Sequence, residues 1–110
     1  ALAGAKLLTG AAGEALTLTL ASPRALSALT VLGGCGASSA QWKKNHRVKA
    51  LKVSVNGGEA TRVELLDVET AQRVPLMGAS AVTSVRLELA EVYPGSAYDD
   101  ACLAEVTLVP

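Results

Sequence analysis

The sequence contains no Phe and no Ile, and its only aromatic side chains are one Trp and two Tyr, 3% of 110 residues. A core built on large rings is therefore excluded. Burial has to be assembled from 20 Ala, 17 Leu and 12 Val in many small contacts, at a length where roughly two-thirds of the unfolded surface should be covered. Charge of one sign is also missing. Ten Lys+Arg stand against ten Asp+Glu, so the chain as a whole is not a polyanion binder. Two Cys do not make a disulfide-dense scaffold. No run approaches the roughly 20 apolar residues that span a bilayer. The stretch Ala1-Leu2-Ala3-Gly4-Ala5-Lys6 has no initiator Met and no basic segment ahead of an apolar block, so it is not an intact signal peptide. With half of its residues hydrophobic, the chain is not disordered. We read residues 1–110 as one domain, cut from a longer protein or processed from one.

What is present is alternation. Leu16-Thr17-Leu18-Thr19-Leu20 has strict period two and predicts a half-buried strand. Ser22-Pro23 is expected to stop it, because proline removes a ladder donor. Further strands are predicted over Leu29–Val31, Val48–Val55, Thr61–Val68, Val82–Val92 and Cys102–Val109. A short one over Arg73–Met77 is expected at a sheet edge because of Pro75. Asn56-Gly57-Gly58 is a hairpin signal. The apolar residues of 82–92 also fit a helical face, but Thr83-Ser84-Val85 at the start and Tyr93-Pro94-Gly95 at the end favour a strand.

Three of these segments slip phase. Val48 and Ala50 are even while Leu51, Val53 and Val55 are odd; Val63 and Leu65 give way to Leu66 and Val68; Val85, Leu87 and Leu89 give way to Val92. A one-residue slip reverses the buried face, so each predicts a β-bulge or a strand that changes sheets. Seven or eight short strands of this kind imply an all-β fold, an antiparallel sandwich or barrel.

The chemistry is sparse. His46 is the single histidine, and no Gly-x-Ser-x-Gly elbow accompanies it, so it reads as an exposed loop or strand residue and the chain as a non-enzyme. No spacing suits zinc. Gly33-Gly34-Cys35-Gly36 lacks the Gly-Lys-Ser/Thr of a phosphate loop and reads as a turn requiring positive φ. Lys43, Lys44, Arg47, Lys49 and Lys52 hold half of the Lys+Arg. A basic run beside Trp42 can bind phosphates and stack bases. Arg47 and Lys49 share one strand face with Lys52 on the other after the slip, which favours a solvated flank, so no nucleic-acid partner is expected. Asp99 and Asp100 read as a turn, or as oxygen donors for a hard cation with Glu105. Cys35 and Cys102 read as two small buried residues or as a bridge closing a long loop.

Three segments carry a resemblance: Trp42-Lys43-Lys44-Asn45-His46-Arg47-Val48-Lys49-Ala50-Leu51 with Val53-Ser54-Val55-Asn56-Gly57; Leu66-Asp67-Val68 with Gln72 and Val74-Pro75-Leu76; and Val92-Tyr93-Pro94-Gly95-Ser96-Ala97-Tyr98-Asp99-Asp100-Ala101-Cys102-Leu103-Ala104-Glu105-Val106. Together, over about residues 14–109, they resemble the discoidin-like, galactose-binding-like sandwiches, and most closely the bacterial NADase-type glycan-binding domain. The resemblance implies an antiparallel jelly-roll β-sandwich without catalysis of its own, appended to a larger protein and binding a glycan or other small polar ligand weakly through loops at one end. It implies an extracytoplasmic or cell-surface setting and no membrane insertion. The ligand residues it implies are Trp42, Asn45, Arg47, Tyr93, Tyr98 and Asp99. It also implies a structural calcium held by Glu105 with Asp100 as neighbour. The other reading is a structural or protein-interaction domain without a working sugar site, supported by Cys35 standing where an aromatic is common and by the scarcity of rings.

Overall fold

The computed structural model describes residues 6–8, 14–34, 39–44, 46–76, 80–96, 101–103 and 105–110. In chain order the elements are β1 (Lys6–Leu8), β2 (Ala15–Arg24), β3 (Ala28–Leu32), α1 (Ser39–Lys44), β4 (Arg47–Val55), β5 (Thr61–Glu64), β6 (Gln72–Pro75), β7 (Val82–Tyr93), β8 (Ala101–Leu103) and β9 (Glu105–Val109). A four-stranded sheet has the order β2-β7-β4-β5, a three-stranded sheet the order β6-β3-β9, and β1 pairs with β8. All pairings are antiparallel. Leu18, Val48, Leu51, Val53, Val85, Leu87 and Leu89 from the larger sheet share one buried cluster with Leu29, Val31, Val74, Val106 and Leu108 from the smaller. Two alternating sheets that bury their apolar faces against each other make the jelly-roll sandwich.

Two of the three phase slips are the same feature seen from both partners. Val48 lies opposite Val92 and Ala50 opposite Glu91, so Lys49 is extra on β4; Leu51 then lies opposite Leu89, so Ala90 is extra on β7. The two bulges oppose each other and restore the register. They let Val48, Ala50, Leu51 and Leu89 all stay buried where a regular strand would turn one side outward.

The third slip is not a bulge. β5 ends at Glu64, and Leu66 and Val68 stand 70% and 38% exposed in the loop that follows. Their apolar character reads as strand because periodicity cannot distinguish a buried face from an exposed loop. Ser22-Pro23 does not stop β2 either. The strand continues to Arg24, but its pairing with β7 is interrupted between Thr19 and Arg24, on an edge strand where a missing N–H costs nothing in the ladder. Pro75 does lie on the edge strand β6. The segment expected as one strand over Cys102–Val109 is divided, β8 pairing with β1 and β9 with β3. Residues 82–92 are strand, as their start and stop signals favour.

Candidate functional site

The first turn of the site is set by glycine. Trp42, on α1, is 5% exposed, and a Cβ placed on Gly34 would lie 2.4 Å from its ring. Gly34 is thus present for close approach, not for positive φ, which among the described glycines only Gly57 adopts. Gly34→Ala is expected to cost about 1–3 kcal/mol by overpacking, read as a lower midpoint in urea unfolding.

The side chain of Arg47 opens β4 and is the hub. Its Nε donates to Asp67 Oδ1 and its Nη2 to Asp67 Oδ2, both at 2.9 Å. Its Nη1 donates to the carbonyls of Lys43 and Pro94, each at 3.3 Å. One guanidinium thereby joins α1, β4, the β5–β6 loop and the end of β7. A planar fork is what this geometry needs, since two parallel donors match two carboxylate oxygens. Around it, Ser96 N–H donates to Lys43 O at 3.1 Å, Gly95 N–H to His46 Nδ1 at 2.7 Å, and Tyr93 Oη to Leu65 O at 2.8 Å. Leu65 N–H donates to the Lys49 carbonyl at 2.8 Å, continuing the β4–β5 register one residue beyond the paired strands.

Hydrogen bonds from Arg47, then the charge of Arg47 and a bond from the Trp42 indole, hold the Asp67 carboxyl below the usual carboxylate range against the opposing effect of desolvation. Since the folded value is lowered, the clasp stabilises fully above the unfolded value of about 3.9 and is lost as pH falls through the folded one. Asp67→Asn should therefore be less stable than wild type near neutrality and flatten the acid limb, compared by urea unfolding between about pH 2 and pH 6.

The loop held this way presents an apolar tip. Gln72 brackets Leu66 from both sides of its backbone: Leu66 N–H donates to Gln72 Oε1 and Gln72 Nε2 donates to Leu66 O, each at 2.8 Å. Leu65 before it is buried, and Asp67 after it is in the fork of Arg47. Leu66 is thus an exposed aliphatic side chain on a backbone fixed at three successive residues. Sequence reasoning missed this tip because it counted Leu66 and Val68 as strand; the signal available was Gln72, six residues on and able to satisfy both backbone groups of one residue.

Of the expected ligand residues, the structure gathers Trp42, Arg47 and Tyr93 at one end of the sandwich, with Lys49 Nζ 5.6 Å from the Tyr93 ring centre. Trp42 and Tyr93 are the aromatic side chains among the described residues, and neither is exposed. Asn45, Tyr98, Asp99, Asp100 and the side chain of Glu105 lie outside the described residues, as do Cys35 and the side chain of Cys102. The donor set implied for calcium thus falls outside them, and no role is derived through that ion. Among the described residues no three His, Cys, Asp or Glu side chains group as metal ligands.

The basic run is divided. Lys43 and Lys44 end α1, Arg47 holds Asp67, and Lys49 reaches Glu91 at 3.8 Å, which also takes Arg62 at 3.1 Å. Lys52 lies opposite Arg62 across β4 and β5; the Glu88 carboxyl is lowered first by a hydrogen bond from Arg86, against desolvation, and then by the charges of Arg86 and Lys52. Lys49 and Lys52 therefore share the outer face of the sheet rather than opposite faces, because the bulge between them cancels the odd spacing. His46 is half-buried and holds Gly95, in place of the exposed side chain expected.

Comparison with known proteins follows the same outline. The family model of the NAD glycohydrolase translocation F5/8 type C domain matches residues 8–109. The solution structure of the translocation domain of the Streptococcus pyogenes NAD+-glycohydrolase superposes with a TM-score of 0.64 at 25% sequence identity, over 98% of this chain and 92% of that one. No curated protein matches the chain in sequence.

Proposed function

Because the chain belongs to the NAD glycohydrolase translocation F5/8 type C domain family, we propose that it is a non-catalytic module that serves the translocation of a parent protein by docking on a protein partner. The observation that carries the docking surface is Leu66, 70% exposed on a loop fixed by Gln72 and by the Arg47–Asp67 fork. A rigid aliphatic anchor loses little freedom on binding, which is what a hot-spot residue requires. An aliphatic tip of this kind fits an apolar pocket on a protein partner.

A sugar site at this end has less support. Pyranose faces stack on exposed rings and their hydroxyls take planar polar groups, whereas here Trp42 is covered by Gly34 and the guanidinium of Arg47 already serves Asp67 and two carbonyls. The charged outer face of the larger sheet is a lattice of paired Lys/Arg and Glu, which suits solvation and discourages sheet stacking.

The test is a domain exchange. This chain replaces the translocation domain of the Streptococcus pyogenes NAD+-glycohydrolase, and NAD+ hydrolysis is measured beyond the membrane. The exchanged protein is expected to translocate; loss of translocation with glycohydrolase activity intact would reject the role. Leu66→Glu with Val68→Glu should reduce translocation at least about tenfold, since a central apolar anchor is worth about 2 kcal/mol or more. Stability should change by no more than about 0.5 kcal/mol, as for other exposed sites. Unimpaired translocation by that variant would reject the loop as the docking surface.

A further inference from the structure

The Asn56-Gly57 turn joins β4 to β5 and is more than a hairpin. Asn56 has φ +54° and Gly57 φ +72°, and Gly58 N–H donates to Val55 O at 2.9 Å. Both central residues in the left-handed region make this a type I′ turn. The Asn56 side chain then reaches the start of β7. Its Oδ1 accepts from Thr83 N–H at 2.8 Å, Thr83 Oγ1 at 2.9 Å and Ser84 N–H at 3.1 Å, and its Nδ2 donates to Ala81 O at 3.0 Å. The Asn56 N–H donates to Ser84 O at 2.9 Å. Both halves of one carboxamide are engaged, on a residue that is itself exposed.

The same dipeptide has its own covalent chemistry. The Gly57 nitrogen can attack Asn56 Cγ. The N–Cγ bond forms, the Cγ–Nδ2 bond breaks, and the nitrogen's proton leaves to water as ammonia departs. Water then opens the five-membered imide at one carbonyl or the other, giving aspartate or isoaspartate. No oxidant or reductant enters. Gly57 offers no steric shield, since a Cβ there would meet nothing within 4 Å. What opposes the reaction is the set of four side-chain bonds, which must break before Cγ can swing onto the backbone nitrogen.

We propose that Asn56 is a deamidation site kept closed by its own hydrogen bonds to Ala81, Thr83 and Ser84, so that local opening of the β4–β5 turn from β7 sets its rate of conversion. The change is one-way in its consequences. Aspartate would set a carboxylate oxygen against Ala81 O where Nδ2 now donates, and isoaspartate adds a main-chain atom to a turn whose register depends on two consecutive left-handed residues. Either product unhooks the turn and lowers the stability of the strands it joins.

Peptide mapping by mass spectrometry, on the whole chain incubated folded and in urea at the same pH and temperature, tests this. The folded chain is expected to convert Asn56 at least about tenfold more slowly than the unfolded one, as for any reaction that needs local opening. Thr83→Ala removes one donor and should speed the folded reaction about three- to tenfold, the equivalent of one hydrogen bond, with the rate in urea unchanged. Thr83→Ser keeps the hydroxyl and should match wild type. Val106→Ala on β9 should lower the melting temperature without speeding conversion. Equal rates in folded and unfolded chain would overturn the proposal. So would a folded rate indifferent to Thr83→Ala, or acceleration by Val106→Ala equal to that by Thr83→Ala, because opening would then be global.

Discussion

Trp42→Ala should lower stability by about 3–5 kcal/mol, the range for removing a large buried ring, and the melting temperature by about ten degrees or more. The ring is 5% exposed, lies against the backbone of Gly34 and contributes a hydrogen bond to Asp67. It is also what anchors α1. A helix of six residues cannot hold itself in water, so its position depends on this side chain and on the carbonyl of Lys43 that meets Arg47. Thermal melting of the purified variant checks this. A stable Trp42→Ala that had lost only affinity for a ligand would assign the ring to recognition instead.

Arg47→Ala comes next, at about 2–3 kcal/mol, the scale of hydrogen bonds to charged groups. The loss is more than one ion pair. Arg47 is 15% exposed at its side chain, and its removal leaves Asp67 without its fork and the Lys43 and Pro94 carbonyls without a shared donor. Arg47→Lys should recover only a small part, because one ammonium cannot span two carboxylate oxygens while reaching two carbonyls. Chemical unfolding of both variants at neutral pH gives the comparison. Stabilities for Arg47→Ala and wild type that agree within about 0.5 kcal/mol would place the residue among ordinary surface side chains.

Much of the scaffold was legible because it is written in local patterns. Alternating Leu and Thr in β2, the Asn-Gly turn after β4, Pro75 on an edge strand and the paired phase slips of β4 and β7 each follow from two or three neighbouring residues. The misses have physical causes too. A helix as short as α1 has too few turns to show a period. The Leu66 tip reads as strand because exposure is decided by where the chain ends its ladder, not by the residue. Pro23 reads as a stop because the edge position of β2 is a property of the whole sheet.

The site was half legible. Trp42, Arg47 and Tyr93 were singled out, and they do come together. What the sequence could not supply is that their partners are within the chain. Asp67 stands 20 residues from Arg47, Leu65 28 residues from Tyr93 and Gly95 49 residues from His46, and a charged residue in a motif looks the same whether it awaits a ligand or holds a neighbouring loop. The resemblance gave the family; the hydrogen bonds give these residues a bracing role.

That role is tested most directly by a double-mutant cycle on Arg47 and Asp67, with unfolding free energies measured for wild type, Arg47→Ala, Asp67→Ala and the double variant. Residues that act as one clasp should show a coupling of about 2 kcal/mol, within the range for groups in one hydrogen-bonded network. A coupling near zero, with each variant as stable as wild type, would contradict the account and return Arg47 to the role of a ligand-binding group.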